Sequence, residues 1–439
     1  MINENFKTIA KLFISLQIFL ISIFTRSYVG LQVYGYRLGE LIVGSLILFS
    51  ITVLFLNSKY LKEYKVSNKY FLMIILFTFF LFLNNNSEIL DLNIYKRSSF
   101  VWMISSIFLG IYLQKNIDLI KFIKYFYPTL PVIVYIFNSG NYPDVLIRFF
   151  NSYSDKFQFT KGADIVLILL ISFLVLRANF GTKFSGQYLF IISMLVLPLL
   201  QVLSRAAFIS LIIGNILFIL QDFKTIVINK KSYLLTVFFG ILVILMSYIR
   251  IAGVSFNSLE INETTVVVNQ SIKEVSKAKD TKKVFLSFYF ENNRLISKDP
   301  TTNWRLDIWQ DLFVDMYQNK KLVLGYGFND IVPVMTDPTA PGRLGRDGLN
   351  EHVHNHLLTI FARGGVFYLY LFIGFYLSIF KYLNLRFFDK SYMILVFPIL
   401  LIAMFDITMD GVQHPFLFYI FIGLFIAFNN KSFNIENNE

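Results

Sequence analysis

The sequence contains no cysteine and little charge. The absence of cysteine excludes disulfide bonds, thiolate metal sites and a cysteine nucleophile. Charged residues make up 15% of the 439 residues, whereas a soluble domain usually has roughly 25%. Apolar residues take their place at 56%, including 50 Phe and 25 Tyr, and a soluble protein could not bury that much apolar surface. The composition therefore predicts a protein that is solvated by lipid.

Apolar runs of sufficient or nearly sufficient length to cross a bilayer recur along the chain. They lie at about 9–25, 38–57, 70–84, 98–114, 117–138, 163–177, 187–203, 204–220, 232–249, 357–380, 391–410 and 412–428. The stretch 187–220 is too long for one span, so we divide it near Ser204 and Arg205. The pattern predicts an all-α polytopic membrane protein with about twelve transmembrane helices.

Basic residues account for the formal net charge of +12 and fall mainly in short loops between the apolar runs. This distribution is the positive-inside signature, and it differs from the basic face of a soluble nucleic-acid-binding protein. It places both termini in the cytoplasm. The predicted partners therefore include the lipid bilayer and exclude nucleic acid.

The same orientation divides the chain into four parts. Residues 1–249 form transmembrane helices one to nine, 250–356 form a large external loop, 357–428 form helices ten to twelve, and 429–439 form a cytoplasmic tail. Loops of this length are usually functional or disordered. Within the loop, Ile308, Leu312 and Met316 form an apolar stripe, which predicts an amphipathic helix from Trp304 to Tyr317 that lies against an apolar surface.

Three of the four histidines fall in the short segment that leads from the loop into the tenth span. They are His352, His354 and His356. Histidine is suited to general acid–base chemistry near neutral pH. Two other readings stay open, namely a metal site completed by Glu351 and a polar, purely structural loop end. Asn355 is placed to cap the tenth helix.

Two arginines are the candidate anion-binding residues. Arg205 interrupts an apolar stretch, where arginine usually faces a cavity or a partner, although a helix break would let it reach the membrane interface instead. Arg305 and Trp309 are four residues apart, so they share a helix face and could simply stack. Arg97 and Arg148, at external helix ends, are further candidates for the same basic pocket.

Arginine binds phosphate through planar, bidentate contacts. A pyrophosphate head group at the lipid surface would suit both arginines. A neighbouring histidine could take the proton from an incoming hydroxyl.

The order of these motifs resembles the O-antigen ligase/polymerase superfamily of bacterial membrane glycosyltransferases. The motifs are Arg205, Arg305 with Trp309, Gly325-Tyr-Gly327, His354-Asn355-x-x-Leu358 and Gly364-Gly365, all between about 201 and 366. The resemblance implies a GT-C-like helical membrane bundle with an external, periplasmic helical subdomain. It also implies a location in the bacterial inner membrane with the active site on the periplasmic side.

The resemblance further implies a role for each residue. His354 would be the general base, and Arg205 and Arg305 would bind the diphosphate of a polyprenyl (undecaprenyl) diphosphate-linked glycan. Trp309, Asn355, His352 and His356 would support the site, and His352 and His356 have no assured family counterpart. Transfer would invert the anomeric carbon and need neither a metal nor another cofactor, because arginine supplies the electrostatic stabilisation.

The acceptor distinguishes the two activities of the superfamily. A polymerase passes the glycan to a lipid-linked repeat unit, and a ligase passes it to lipid A-core. The richness in Phe, Ile, Asn, Lys and Tyr suits an AT-rich gene and favours a polymerase. A flippase for lipid-linked glycans would also have about twelve spans, but it would predict internal symmetry and several charged residues deep in helices, which the sequence lacks.

Overall fold

A computed structural model describes most of the chain. The described residues are 4–56, 92–113, 117–139, 142–155, 160–253, 287–338, 340, 342–344, 351–386 and 390–427. The predicted span at 70–84 and the predicted tail from 429 lie outside them.

The described elements are predominantly helical. The α-helices are α1 (Glu4–Val29), α2 (Leu38–Leu56), α3 (Leu92–Arg97), α4 (Ser99–Trp102), α5 (Ser106–Leu113), α6 (Ile117–Phe126), α7 (Leu130–Ser139), α8 (Asp144–Tyr153), α9 (Gly162–Leu203), α10 (Arg205–Ile228), α11 (Lys230–Gly253), α12 (Pro300–Gln318), α13 (His356–Arg386), α14 (Tyr392–Ala403) and α15 (Gln413–Ala427). Two antiparallel hairpins accompany them, β1 (Gln32–Val33) with β2 (Tyr36–Arg37), and β3 (Phe288–Glu291) with β4 (Arg294–Ser297).

Six helical segments are long and apolar enough to cross a membrane within the described part of the chain. They are Leu12–Val29, Leu119–Ser139, Gly162–Leu203, Arg205–Ile228, Lys230–Ala252 and His356–Lys381. Ser99–Leu113, Tyr392–Ala403 and Gln413–Ala427 are shorter apolar segments. These helices support a multi-pass, all-α membrane protein, whereas the total of about twelve spans stays a prediction.

Two helix breaks divide residues 162–228 into segments of spanning length. The 42-residue helix α9 contains Gly181 with a φ of 80°, which divides it into two parts of about 20 residues that are each long enough to span. Ser204 then adopts an extended φ of −162°, and its hydroxyl accepts a hydrogen bond from the Ala207 amide at the start of α10. The predicted break at Ser204 and Arg205 is confirmed.

The predicted span at 391–410 is too long at its C-terminal end. Helix α14 ends at Ala403, and an irregular segment with a short 3₁₀ turn at Thr408–Asp410 follows. This segment carries Asp406 and Asp410, whose carboxylates bind Lys161 and His356. Carboxylates that are buried in a protein need such partners, so this part of the predicted span serves to place charged groups rather than to cross the lipid.

Close helix packing and exposed apolar side chains both suit a bilayer. A Cβ on Gly110 of α5 would lie 2.1 Å from the Ile420 carbonyl oxygen, and a Cβ on Gly423 of α15 would lie equally close to that of Ile107. Such contacts between small residues are typical of transmembrane helix pairs. Helices α10 and α11 carry many exposed apolar side chains, including Leu220, Ile228, Met246 and Ile249.

The predicted external loop contains a small folded unit around α12. This helix is longer than the predicted 304–317, because Asp299 caps it by accepting a hydrogen bond from the Thr302 amide. The predicted stripe of Ile308, Leu312 and Met316 is fully buried. It packs against a cluster made by Val332, Val334, Met335, Val353, Phe361 and Ala362. The amphipathic helix and its apolar partner surface are therefore confirmed.

Candidate functional site

The histidine segment 351–356 is held in a specific backbone shape where it enters α13. His354 has a φ of 55°, in the left-handed region that histidine adopts more readily than most residues. The Trp309 indole donates a hydrogen bond to the Val353 carbonyl oxygen at 2.7 Å. The Leu358 amide donates to Asn355 Oδ1 at 3.0 Å, so the predicted cap of this helix by Asn355 is confirmed.

His352 and His356 face one carboxylate, that of Asp410. The His356 Nδ1 lies 2.7 Å from Asp410 Oδ1, and the His352 Nδ1 lies 3.7 Å from the other oxygen, Oδ2. His356 also bonds the Tyr376 hydroxyl through Nε2 at 3.0 Å and is fully buried. Both flanking histidines are therefore directed into the interior of the protein.

His354 faces the loop helix α12 instead. Its ring makes an edge contact with Trp304, with 4.8 Å between ring centroids. Burial and, after it, the positive charge of Arg305 together lower the pKa of His354 to about 3, against the opposing charge of Asp406. His354 is therefore neutral at physiological pH, the form that accepts a proton.

Arg305 belongs to α12, is half-buried and lies beside His354. Burial lowers the pKa of its guanidinium, and the negative charges of Asp406 and Asp299 partly oppose this effect. Its Nε atom is buried without a hydrogen-bond partner in the described part of the chain. A buried guanidinium donor without an acceptor is a costly arrangement that a bound anion would relieve.

Arg205 reaches the same region from the helix break. It is the first residue of α10, and its Nη1 lies 3.2 Å from Asp299 Oδ1. The same carboxylate caps α12 through its other oxygen. The Arg205 side chain is 42% exposed, so it can contact a ligand from the solvent side. The structure thus brings both sequence-predicted arginines to the carboxylate of Asp299.

The other two candidate arginines are located elsewhere. Arg97 donates to Glu351 at 2.7 Å and to the Asn329 carbonyl oxygen. Burial raises the pKa of Glu351, but the hydrogen bond and charge of Arg97 outweigh it and lower the pKa overall. Arg97 therefore anchors the start of the histidine segment. Arg148 is exposed on α8.

Sequence reasoning missed Lys161 and Asp406. Lys161 directly precedes α9, and its Nζ lies 3.0 Å from Asp406 Oδ1. Burial by itself would raise the pKa of Asp406, but the charge and hydrogen bond of Lys161 hold it at about 2. A cation directly before an apolar run and an acidic turn were visible signals, but nothing local joins residues this far apart in sequence.

Sequence reasoning also missed Arg363, which supports the glycine motifs. It is fully buried in α13 and donates to the Gly327 and Asp330 carbonyl oxygens. Gly325 and Gly365 both have positive φ, and a Cβ on Gly325 would lie 2.5 Å from the Arg363 carbonyl carbon. Gly365 kinks the helix rather than starting it. The two glycine motifs therefore form one close backbone contact.

Three helices begin at this site. Gly162 starts α9, and a Cβ there would lie 2.9 Å from that of Ser204, which precedes α10. Arg205 in turn bonds Asp299, which precedes α12. Helix N-termini carry a partial positive charge and favour anions. Together with Lys161 they add to the positive field that the arginines create.

The described histidines and carboxylates give no group of three that could hold a metal ion. Glu351 pairs with Arg97, and His354 faces away from His352 and His356, so the residues proposed for a metal site do not converge on one point. The arrangement as it stands can bind an anion through cations and accept a proton on a neutral imidazole.

The comparison with protein families identifies the relatives of this region. Residues 188–373 match a family model described as O-antigen ligase. No curated protein matches the sequence. The matched residues include Arg205, Arg305 and His354, together with both glycine motifs. The resemblance to the O-antigen ligase/polymerase superfamily that the motifs indicated is therefore confirmed over residues 188–373, in a chain whose helices are those of a multi-pass membrane protein.

Proposed function

We propose that this protein transfers a glycan from polyprenyl diphosphate to the hydroxyl group of an acceptor sugar. The observation that carries the proposal is the position of neutral His354 beside the half-buried guanidinium of Arg305. Arg205 belongs to the same group, because it bonds Asp299, whose charge also acts on Arg305. A base next to an anion site is what this reaction requires. The cluster lies on the side of the external loop, which we assign to the periplasm of a bacterial inner membrane.

The reaction proceeds as an inverting displacement. The acceptor hydroxyl oxygen attacks the anomeric carbon, while His354 takes its proton. The bond between the anomeric carbon and the diphosphate oxygen breaks, and the diphosphate leaves with the bonding electrons. Arg205 and Arg305 stabilise the negative charge that develops on this leaving group. These cations perform the electrostatic role that a metal has in other transferases, so the reaction proceeds without one.

Binding of the donor also prepares the base. The free imidazole is a weak base because burial and Arg305 lower its pKa to about 3. A diphosphate bound to Arg305 adds negative charge next to His354 and raises the pKa of the imidazole. Proton acceptance thus becomes favourable only when the donor is in place.

The acceptor defines two candidate activities. The composition favours a polymerase that adds the glycan to an undecaprenyl-diphosphate-linked repeat unit. The description of the matching family favours a ligase that adds it to lipid A-core. Both use the same donor and the same base, so the site residues do not separate them.

The test is a transfer assay with purified protein. Wild type and His354→Ala receive a polyprenyl-diphosphate-linked glycan with or without lipid A-core, and glycan length is followed on a gel. Chain extension without lipid A-core identifies a polymerase, and product only with lipid A-core identifies a ligase. Full activity of a well-folded His354→Ala variant would contradict the role of the base. Movement of the lipid-linked glycan across vesicles without any transfer product would replace the proposal by transport.

A further inference from the structure

The ion pair of Lys161 with Asp406 lies at the edge of the proposed diphosphate site. Lys161 reaches the site from the start of α9, next to the break that carries Arg205. Asp406 reaches it from the segment after α14, beside Phe405, whose ring lies 6.4 Å from that of Trp309. The pair is thus bracketed by the elements that carry both arginines.

Asp406 is shared among several positively charged or titratable groups. It bonds Lys161 at 3.0 Å, and its charge acts on Arg305 and on His354. The charges of Arg26 and Asp164 also act on Lys161. One carboxylate therefore neutralises part of the charge of two cations, Lys161 and Arg305.

We propose that Lys161 is a third cation of the diphosphate site, and that Asp406 is an internal counter-ion which the incoming diphosphate replaces. The inference rests on the proposed function, because it concerns the anion that Arg205 and Arg305 bind.

The electrostatics favour this exchange. A carboxylate brings one negative charge, whereas a diphosphate brings at least as much charge and more acceptor oxygens, each able to accept a charge-assisted hydrogen bond. Both side chains of the pair are partly accessible, with 15% exposed for Lys161 and 18% for Asp406, so a ligand can reach them. Asp406 can stay bound to the Ile407 amide, 2.8 Å away, when Lys161 turns to the phosphate.

The alternative is that the pair only anchors the segment after α14 to the start of α9. The two roles predict opposite effects of Asp406→Asn on anion binding. An anchor leaves anion affinity unchanged or lowers it as the segment loosens. A counter-ion competes with the ligand, so its removal raises the affinity.

The experiment measures binding of inorganic pyrophosphate to the purified full chain at low ionic strength. We expect Lys161→Gln to weaken binding roughly tenfold and Asp406→Asn to strengthen it several-fold, in line with about 1.4 kcal/mol per factor of ten. Lys161→Arg keeps the charge and should retain most of the affinity. The melting temperature and a monodisperse elution profile, recorded for every variant, separate binding from misfolding.

Two charge-matched variants serve as controls. Lys231→Gln removes an exposed lysine at the start of α11, beyond the far end of the 24-residue helix α10 that Arg205 begins. Asp144→Asn removes an exposed carboxylate at the start of α8. Neither should change pyrophosphate affinity, whereas a change equal to that of the site variants would reveal an effect of net charge alone and overturn the proposal.

Arg305→Lys separates this inference from the proposed function. If Arg305→Lys weakens binding but the Lys161 and Asp406 variants leave it unchanged, the third cation is wrong and the diphosphate site stands. If wild type and Arg305→Lys bind pyrophosphate equally, the diphosphate site itself is wrong and this proposal fails with it. Weaker binding by Asp406→Asn would identify the pair as an anchor.

Discussion

The indole Nε1 of Trp309 donates a hydrogen bond to the carbonyl oxygen of Val353, 2.7 Å away. This bond attaches the loop helix α12 to the residue directly before His354. The same indole ring lies against Phe405, one residue before Asp406. Trp309 therefore connects the three segments that carry Arg305, His354 and Asp406, although sequence spacing had suggested only a stacking partner for Arg305.

Trp309→Phe should reduce transfer much more than it reduces stability. The variant keeps the aromatic ring and loses one hydrogen bond, which contributes about 1 kcal/mol to folding. A displacement of the base by about 1 Å can lower the rate of a reaction roughly 100-fold. The assay is glycan extension on a gel, with the melting temperature measured in parallel.

Trp102→Phe is the matched control for Trp309→Phe. The Trp102 indole also donates one hydrogen bond, at 2.9 Å to the Ser98 hydroxyl, but within the α4 region. We expect a similar change in melting temperature and near-normal transfer. Equal losses of transfer in both variants would show that Trp309 has no special role in placing His354.

The three histidines should differ sharply when each is replaced. His354→Gln should abolish transfer, because only this imidazole faces Arg305. His352→Gln should retain activity within about tenfold, because its Nδ1 faces Asp410 and it takes no part in proton transfer. The purified variants are compared for glycan length at equal protein concentration. Abolished transfer in a folded His352→Gln variant, with activity kept in His354→Gln, would exchange the two roles.

The directions of the histidines show what the sequence could and could not predict. Alternating residues of an extended strand point to the same side, so His352, His354 and His356 would share one face. The left-handed φ of His354 breaks this pattern and turns its ring away from the other two. Composition and spacing were enough to locate the histidine segment. Which histidine faces the site is decided by the φ of His354, and this φ depends on the contacts of Trp309 and Asn355 with the segment.

Sequence distance explains the remaining successes and omissions. The break at Ser204 was predictable because an overlong apolar run contained a serine and an arginine, which suit a helix start. The apolar stripe of α12 was predictable because helical periodicity is local. The ion pair of Lys161 and Asp406 joins residues 245 positions apart, so only the packing of α9 against the C-terminal helices reveals it.

Removing the charge of Arg305 should raise the pKa of His354. Burial lowers this pKa most, and the positive charge of Arg305 is the next cause. Carbethoxylation requires the neutral imidazole, so its rate falls as the pH falls through the pKa. In wild type that fall lies near pH 3, and in Arg305→Gln it moves to higher pH. Mass spectrometry of the modified peptide, from about pH 4 to about pH 8, follows the change.

Arg294→Gln is the control for this titration. Arg294 is also on the loop subdomain, but it pairs with Asp307 and Asp311. Its removal should leave the reactivity of His354 unchanged. The coupling between Arg305 and His354 would be refuted by identical pH profiles for Arg305→Gln and wild type.

Gly365→Ala should destabilise the protein more than Gly181→Ala does. Both glycines interrupt a helix with positive φ, at 67° and 80°, so each substitution carries a conformational cost of about 1 kcal/mol or more. A Cβ at Gly365 would also lie 2.1 Å from the Val323 carbonyl oxygen, whereas nothing lies within 4 Å of one at Gly181. The comparison of melting temperatures in one detergent isolates the clash. Equal shifts would mean that the contact between the two glycine motifs is not tight.

Arg305→Lys should impair transfer severely although it preserves the charge. A guanidinium can hold two phosphate oxygens at once through a planar pair of donors, whereas an ammonium acts as a point charge. The loss should appear in kcat and also in the binding of free pyrophosphate, because the departing diphosphate and free pyrophosphate both carry more negative charge than the diphosphate ester of the bound donor. Arg294→Lys is the matched control, because Arg294 lies in the same subdomain but pairs with two carboxylates. This variant should transfer glycan at a near-normal rate. Near-normal product from Arg305→Lys would show that Arg305 does not hold the diphosphate. The proposed base His354 would then have no fixed leaving group beside it.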